Sequence, residues 1–224
     1  MSAFDRDHIA LAFQKALRVP RDQLYGRPDD QQLPRSIPES ALTPYLGFVG
    51  PGYRQGGTLL VAANPGGGGD SQSKTHRDTR LEKALLALRD AHPSQSGGLA
   101  ALLEKVASAY IEQIKVIPLQ RIIYPVLTTA KVDLADIAFL NVFPYRTRDN
   151  APPPSRLVRV ASNEICKPLV DALAPSRIFF LGSGMGKVAA EVIHAGEVYV
   201  LKRTRGDSYL PPETLKLLDG LSST

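Results

Sequence analysis

Residues 58–69 read TLLVAANPGGGG, an apolar run that passes directly into an asparagine, a proline and four glycines. Three more apolar runs follow along the chain: DIAFLNV (136–142), RIFFLG (177–182) and EVYVLK (197–202). None of the four alternates cleanly between apolar and polar residues, which is typical of strands buried on both faces of a parallel sheet.

Helical patterns separate and flank these runs. They cover residues 4–18, 77–91, 98–115, 119–130, 155–173, 184–194 and 212–218. The alternation of strand and helix, joined by right-handed crossovers, predicts a three-layer α/β/α sandwich with a short, mainly parallel four-stranded sheet. Residues 20–57 are rich in Pro, Gly, Asp and Gln, and we expect them to form a long surface loop that wraps the domain or lines a site.

Length and composition indicate an ordinary globular chain. With 224 residues, 43% of them hydrophobic and 22% charged, one domain is expected over residues 1–224. In that domain, residues 1–57 supply a helix and the long loop, and residues 58–205 form the core that carries the motifs. Lys and Arg outnumber Asp and Glu by 27 to 22, an excess that permits a polyanionic partner without requiring one.

Cysteine usage and hydropathy exclude several classes of protein. Cys166 is the only cysteine, so one chain cannot build a disulfide, a zinc cluster of cysteines or a cysteine-held iron–sulfur cluster. The N-terminus lacks a secretory signal, and no run reaches the roughly 18 apolar residues of a membrane span. We therefore expect a cytoplasmic monomer with no metal, no cofactor and no membrane partner.

The functional site is expected beyond the carboxyl ends of the parallel strands, where ligands of such sheets bind. Three loops should converge there, at residues 63–76, 141–154 and 202–210. They are the most polar, Gly/Pro-rich and basic loops of the chain.

The first loop allows three interpretations. Residues 68–75 (GGDSQSKT) miss the phosphate-binding P-loop pattern by one position, where Ser73 replaces a glycine. That glycine lets backbone amides approach the phosphates closely, and the run 136–142 ends in Asn141 where a magnesium-binding aspartate would be needed. Nucleotide hydrolysis is therefore disfavoured. A plain strand-to-helix turn is the second interpretation, and the third follows from a family resemblance given below.

The second and third loops carry an amide and several cations. The carboxamide of Asn141 offers a donor and an acceptor, which suits the edge of a nucleobase, although a capping or turn residue is the alternative. Arg146 and Arg148 follow it, and the third loop holds Lys202, Arg203 and Arg205. Such clusters favour phosphates, with solvated basic loops as the alternative.

Together the three loops resemble the uracil-DNA glycosylase superfamily, most closely its mismatch-specific and single-strand-selective branches. Those branches carry N-P-G after the first strand, as Asn64-Pro65-Gly66 stand here. In most branches of the superfamily an asparagine ends the second strand of the site, as Asn141 does in FLNV. Residues 163–193, with IFFLGSGMGKVAAEV, look like the superfamily's helix–strand–turn–helix. The resemblance spans about residues 58–205.

The resemblance implies a role for each matched residue. Asn64 would position the attacking water, and Asn141 would read the uracil edge. The contacts to base and sugar would come from Ala63, Pro65, Gly66, Gly67, Phe143 and Tyr145, and those to the nucleic acid from Lys74, His76, Arg146, Arg148 and Arg205. Phe143, Tyr145 or His76 would supply the aromatic ring that stacks on the base.

One motif of the superfamily is replaced. Its members usually carry H-P-S, or a relative of it, after the last strand, where this chain reads Lys202-Arg203-Thr204-Arg205-Gly206. Lys202 or Arg203 would then stabilise the departing base. An H-P-S at residues 92–94 falls between two predicted helices, and we interpret it as a helix stop.

The sequence thus predicts a DNA glycosylase-like enzyme. It would hydrolyse the N-glycosidic bond of uracil or a related damaged base in single- or double-stranded DNA, without a cofactor. The alternative is a non-catalytic nucleic-acid- or nucleotide-binding protein of the same fold.

Overall fold

The computed structural model describes residues 6–20, 23–24, 43–65, 76–92, 98–145, 152–204 and 209–222. Its strands are β1 (Gly47–Val49), β2 (Thr58–Ala62), β3 (Ala138–Asn141), β4 (Arg177–Leu181) and β5 (Glu197–Leu201). Its helices are α1 (Arg6–Leu17), α2 (His76–Asp90), α3 (Gly98–Ile114), α4 (Gln120–Ala130), α5 (155–173), α6 (Ser183–Ala190) and α7 (Pro212–Ser222). A single 3₁₀ turn, Leu134–Asp136, precedes β3.

The five strands form one sheet in the order β1-β3-β2-β4-β5. β2 pairs in parallel with β3 on one side and with β4 on the other, and β5 pairs in parallel with β4. Every residue of β2 and β3 is buried, as expected of strands covered on both faces. The predicted α/β class and the four predicted strands are therefore confirmed.

The connections account for the layers. The chain moves one way in the sheet from β2 to β3, and the opposite way from β3 to β4 and from β4 to β5. Right-handed crossovers then place α2, α3 and α4 on one face of the sheet and α5 and α6 on the other. In agreement, α2 packs on α3 in one layer, and α5 packs on α6 in the other. Helix α1 contacts α2 and α3 of the first layer and α5 of the second.

Two predictions are wrong: the sheet has five strands where four were predicted, and residues 20–57, predicted to be a loop, contain a strand. The described part of that segment contains β1, which pairs antiparallel with β3 and gives the sheet a fifth strand. Three residues are too few to show a sequence period, so the pattern could not reveal it. Gly47 lies at φ 129°, and a Cβ there would collide with the carbonyl oxygen of Phe139. Only glycine fits this close approach.

Helix α5 departs from the regular helix predicted over 155–173. It consists of two α-helical parts, Ser155–Ala161 and Lys167–Leu173, joined by a π-turn at Ser162–Cys166. The backbone amide of Lys167 donates to the carbonyl of Ser162, five residues earlier. This wide turn leaves Ser162 and Cys166 fully buried.

The described buried side chains, from Ile9 on α1 to Leu218 on α7, form one contiguous hydrophobic core. None of the helices in the described ranges is both long and apolar enough to cross a membrane.

Candidate functional site

The carboxyl ends of β2 and β3 leave the sheet side by side. Ala62 is in register with Asn141, and the ladder continues past both strands. The amide of Val142 donates to the carbonyl of Ala62 at 2.9 Å, and that of Phe143 to the carbonyl of Ala63 at 2.9 Å. Asn64 and Asn141 therefore belong to neighbouring strand ends, two positions apart along the ladder.

Asn64 follows this ladder directly. Ala63, Asn64 and Pro65 are half-buried, and the Nδ2 atom of Asn64 lies 3.5 Å from the carbonyl oxygen of Pro65. That distance is at the limit of a hydrogen bond, so this contact by itself holds the amide weakly. Gly66 and Gly67, the remaining residues expected to contact a base here, lie outside the described residues.

Asn141 is the last residue of β3 and is only 3% exposed. Its Nδ2 donates to the carbonyl oxygen of Tyr45 at 2.8 Å, and its backbone amide donates to the carbonyl of Leu46 at 2.7 Å. The first bond fixes which way the carboxamide faces, because turning it over would bring two oxygens together. Asn141 is thus a strand residue with an oriented amide, and it does not cap a helix.

The segment that orients Asn141 is a part of the candidate site that sequence reasoning missed. Residues 43–46 run alongside the end of β3, where the amide of Tyr45 also donates to the carbonyl of Pro144 at 2.7 Å. On the other side, the Cys166 thiol lies 3.6 Å from the carbonyl oxygen of Val142 and 3.9 Å from that of Asn141. Both neighbours belong to segments far away in the sequence, which no local pattern connects to Asn141.

The two aromatic residues expected to stack on a base lie in the core. Phe143 is 2% exposed and Tyr145 is 4% exposed, and their rings pack edge to face with centroids 5.8 Å apart. A base would reach either ring only after neighbouring residues moved. His76 begins α2, and its side chain lies outside the described part of the chain.

Lys202 and Arg203 follow β5 at the same edge of the sheet. The Nζ atom of Lys202 lies 3.8 Å from Oε1 of Glu213, and both side chains are exposed, so this ion pair contributes little. A Cβ at Gly182, just after β4, would lie 3.5 Å from Nε of Arg203, which shows that this side chain packs on the β4–α6 junction.

The charge of Arg203 is not neutralised within the described residues. It makes no ion pair with any of them, while partial burial lowers its pKa from the ordinary value. The guanidinium nevertheless stays cationic at neutral pH, because an arginine pKa lies far above 7. The other expected cations, Lys74, Arg146, Arg148 and Arg205, lie outside the described residues.

The strand order sets the spacing of these groups. β5 is two strands from β2, so the cations emerge about 10 Å from Asn64 at the level of the sheet. The carboxyl edge of the sheet therefore offers two amides close together and a cationic turn to one side.

Within the described ranges, no cluster of three His, Cys, Asp or Glu side chains is arranged to hold a metal ion.

Of the H-P-S at residues 92–94, His92 lies within the described residues. His92 follows the last turn of α2, which ends at Asp90, in agreement with a helix stop. Pro93 and Ser94 lie outside the described residues.

Comparison with protein-family models gives no match for this chain. Comparison with curated proteins gives none either.

Proposed function

We propose that this chain hydrolyses the N-glycosidic bond of uracil, or of a related damaged base, in DNA. The observation that supports the proposal is the pairing of Ala62 with Asn141 and the ladder beyond it. It places a half-buried amide, Asn64, and an oriented buried amide, Asn141, at adjoining strand ends. That is the pair of groups needed to deliver water and to recognise a base.

Asn141 is the base-reading residue of the proposal. Its Nδ2 carries two hydrogens, of which Tyr45 accepts one. The second hydrogen and Oδ1 match the O4 acceptor and the N3–H donor of uracil, and since Asn141 is 3% exposed, a base would reach them only after neighbouring residues moved. Cytosine presents the reverse pattern, and the amide can meet it only by turning over and losing the bond to Tyr45. Breaking a buried hydrogen bond in this way costs about 1–3 kcal/mol, which favours uracil.

Asn64 is the water-positioning residue. An amide does not take up a proton near neutral pH, so its oxygen would orient a water molecule toward the anomeric carbon without acting as a base. The glycosidic bond would break first, leaving an oxocarbenium-like sugar and a uracil anion. The protein's contribution is then placement and charge.

Arg203 or Lys202 would stabilise the departing uracil anion. Arg203 has no counter-ion among the described residues, so its charge is available for this purpose. The base must first leave the stack to reach the edge of the sheet, and Lys74, Arg146, Arg148 and Arg205 would hold the flanking phosphates.

Base release from uracil-containing DNA tests the proposal directly. The chain is incubated with single- and double-stranded substrates, and alkali then reveals abasic sites as strand breaks. Asn64→Ala should lower the rate by about 100-fold or more while DNA binding is retained, because a misplaced water is enough to lose that factor. Asn163→Ala is the matched control, since Asn163 is exposed on α5 and, among the described residues, its side chain bonds to Arg159 of the same helix.

The proposal fails if neither substrate loses uracil, hypoxanthine or mismatched thymine. It also fails if Asn64→Ala and Asn163→Ala release base at the same rate.

A non-catalytic nucleic-acid-binding protein is the second candidate, and the burial of Phe143 and Tyr145 favours it. If Phe143 and Tyr145 both stay in the core, a flipped base would lack the stacking partner that these two rings were expected to supply. Binding that weakens steeply with added salt, without base release, would identify this function.

A further inference from the structure

β5 is an edge strand of the sheet, and its side away from β4 is paired with no other described strand. It is the last strand in the order, and its first two residues, Glu197 and Val198, are exposed. Val198 is 37% exposed, although valine in a strand is usually covered. Tyr199 and Val200 are half-buried. Such an edge is a template for pairing with another strand unless it is blocked.

The hydrogen bonds to β4 show which groups of β5 are free. The amide of Glu197 donates to the carbonyl of Ser176 at 2.8 Å, and the carbonyl of Leu201 accepts from the amide of Gly182 at 3.0 Å. Odd-numbered residues therefore bond toward β4, and Val198 and Val200 direct their amides and carbonyls outward. In the described structure, neither valine bonds to anything on that outer side.

The free edge is short and has defined limits. At its carboxyl end, the outward carbonyl of Lys202 accepts from Oγ1 of Thr214 at 3.1 Å, so α7 already occupies that position. At its amino end, Gly196 lies at φ 56°, where the chain turns into the strand. The edge thus offers four polar groups, all on Val198 and Val200.

This edge is complementary to itself. About a two-fold axis, residue i of one copy meets residue j of the other while j meets i, and Val198 and Val200 can form such a pair. We propose that β5 pairs antiparallel with β5 of a second copy, with the axis at Tyr199. Val198 of each copy then exchanges two hydrogen bonds with Val200 of the other. Any other register leaves one valine unpaired or meets the position held by Thr214.

Charge and apolar surface fit the same arrangement. In this register Glu197 lies diagonally across from position 203 of the other copy, and the Arg203 side chain would reach it by turning away from Gly182, on which it packs. The one side-chain partner of Glu197 within the described structure is its own Tyr199 hydroxyl, at 2.8 Å, and Arg203 has no ion pair there. Tyr209 and Leu215, which are 47% and 40% exposed, flank the edge next to the Thr204 and Thr214 contacts.

In this register Gly196 of one copy lies opposite Lys202 of the other, whose carbonyl is held by Thr214. The second chain would therefore have to leave the ladder at Gly196, which lies at φ 56°. A self-associated chain differs from the expected monomer. In it Arg203 would pair with Glu197 and leave Lys202 for the departing base, so the inference does not depend on the proposed function.

One substitution, Tyr199→Cys, tests the register. Tyr199 lies on the proposed axis in a non-hydrogen-bonded pair, where antiparallel Cα atoms are about 4.5 Å apart, within the range of a disulfide. Mild oxidation of Tyr199→Cys should give a covalent dimer on a non-reducing gel. Val198→Cys is the matched control and should cross-link far less, because it faces Val200 of the other copy. The buried Cys166 adds no background in the folded protein.

Sedimentation of the unchanged chain tests the association itself. Its mass should rise with concentration from 24.3 kDa toward twice that value. Val198→Pro removes one outward amide and no bond to β4, so it should shift the equilibrium to the monomer. Val116→Lys, at a 47% exposed valine between α3 and α4, should leave the association unchanged.

Equal cross-linking of the two cysteine variants overturns the proposed register. A mass of 24.3 kDa at every concentration overturns the association, and so does equal weakening by Val198→Pro and Val116→Lys. Circular dichroism shows which variants are folded, and the unchanged chain answers the question even where a variant is not.

Discussion

At the scale of single residues, polar groups that are buried near the site gain their orientation from distant backbone. Asn141 is fixed by the carbonyl of Tyr45, 96 positions away in the sequence. The thiol of Cys166, on helix α5, contacts the carbonyl of Val142 at the same strand end. Burial without a charged partner raises the pKa of this thiol from 9.0 to about 12.

We expect the Cys166 thiol to make stability depend on pH. In the unfolded chain it ionises near 9.0, and in the folded protein near 12. The stability that it contributes is therefore complete below pH 9 and is lost as the pH rises toward 12. Urea unfolding across this interval should show a steeper loss for the native chain than for Cys166→Ala, which removes the group and leaves the other titrations in place.

A parallel decline in the two proteins would contradict a buried, protonated thiol. Alkylation gives a second readout: the native protein should react slowly at pH 8, and the unfolded protein quickly.

At the scale of elements, α1 closes the end of α2. The Nε2 atom of Gln14 donates to the carbonyls of Leu88 and Ala91 at 2.9 and 2.8 Å, and Arg18 donates to Arg89 and Ala91. These carbonyls lie at the helix end, where no further turn supplies donors. Gln14 is fully buried, so it links two helices that no sequence pattern connects.

Replacing Gln14 should destabilise this junction. Gln14→Ala removes the donor to the buried carbonyl of Leu88, while Ala91 keeps its bond from Arg18, and we expect a loss of about 1–3 kcal/mol in the free energy of unfolding. Lys15→Ala is the control, because Lys15 is exposed on the same helix and should change stability by less than about 0.5 kcal/mol. Equal effects in denaturant titrations would show that Gln14 does not carry the junction.

At the scale of the whole molecule, the described helices of both layers and all five strands share one core. The first and last described helices, α1 and α7, both contribute fully buried or nearly buried side chains, such as Phe13 and Leu218. A core that is continuous in this way is expected to unfold as one unit.

The chain should therefore show one cooperative unfolding transition. Far-UV circular dichroism follows the helices, and tyrosine fluorescence follows packing, since the chain has 8 tyrosines and no tryptophan. The two curves should coincide in urea. Two separated transitions would indicate that residues 1–57 or the C-terminal helix fold independently of the motif-bearing core.

The strands that carry the candidate site were predictable because burial on both faces leaves a continuous apolar run, as in β2 and β3. β1 was not predictable, because its three residues, Gly47–Val49, owe their conformation to pairing with β3. The positions of Asn64 and Asn141 at strand ends followed from the runs that precede them. The bond from Asn141 to Tyr45, and the burial of Phe143, depend on tertiary contacts that no local period encodes.

The π-turn of α5 has a consequence for how the length of this chain can change. The turn holds one residue more than an α-helical turn would, yet the parts on either side bury Leu157 and Leu169 in the same core. A one-residue deletion within 162–166 would restore a regular helix and leave both flanking faces turned inward. Cys166 would then lose its place against the end of β3. We therefore expect related chains to differ by single-residue gaps at this turn, and such gaps to coincide with changes in the residues that support Asn141.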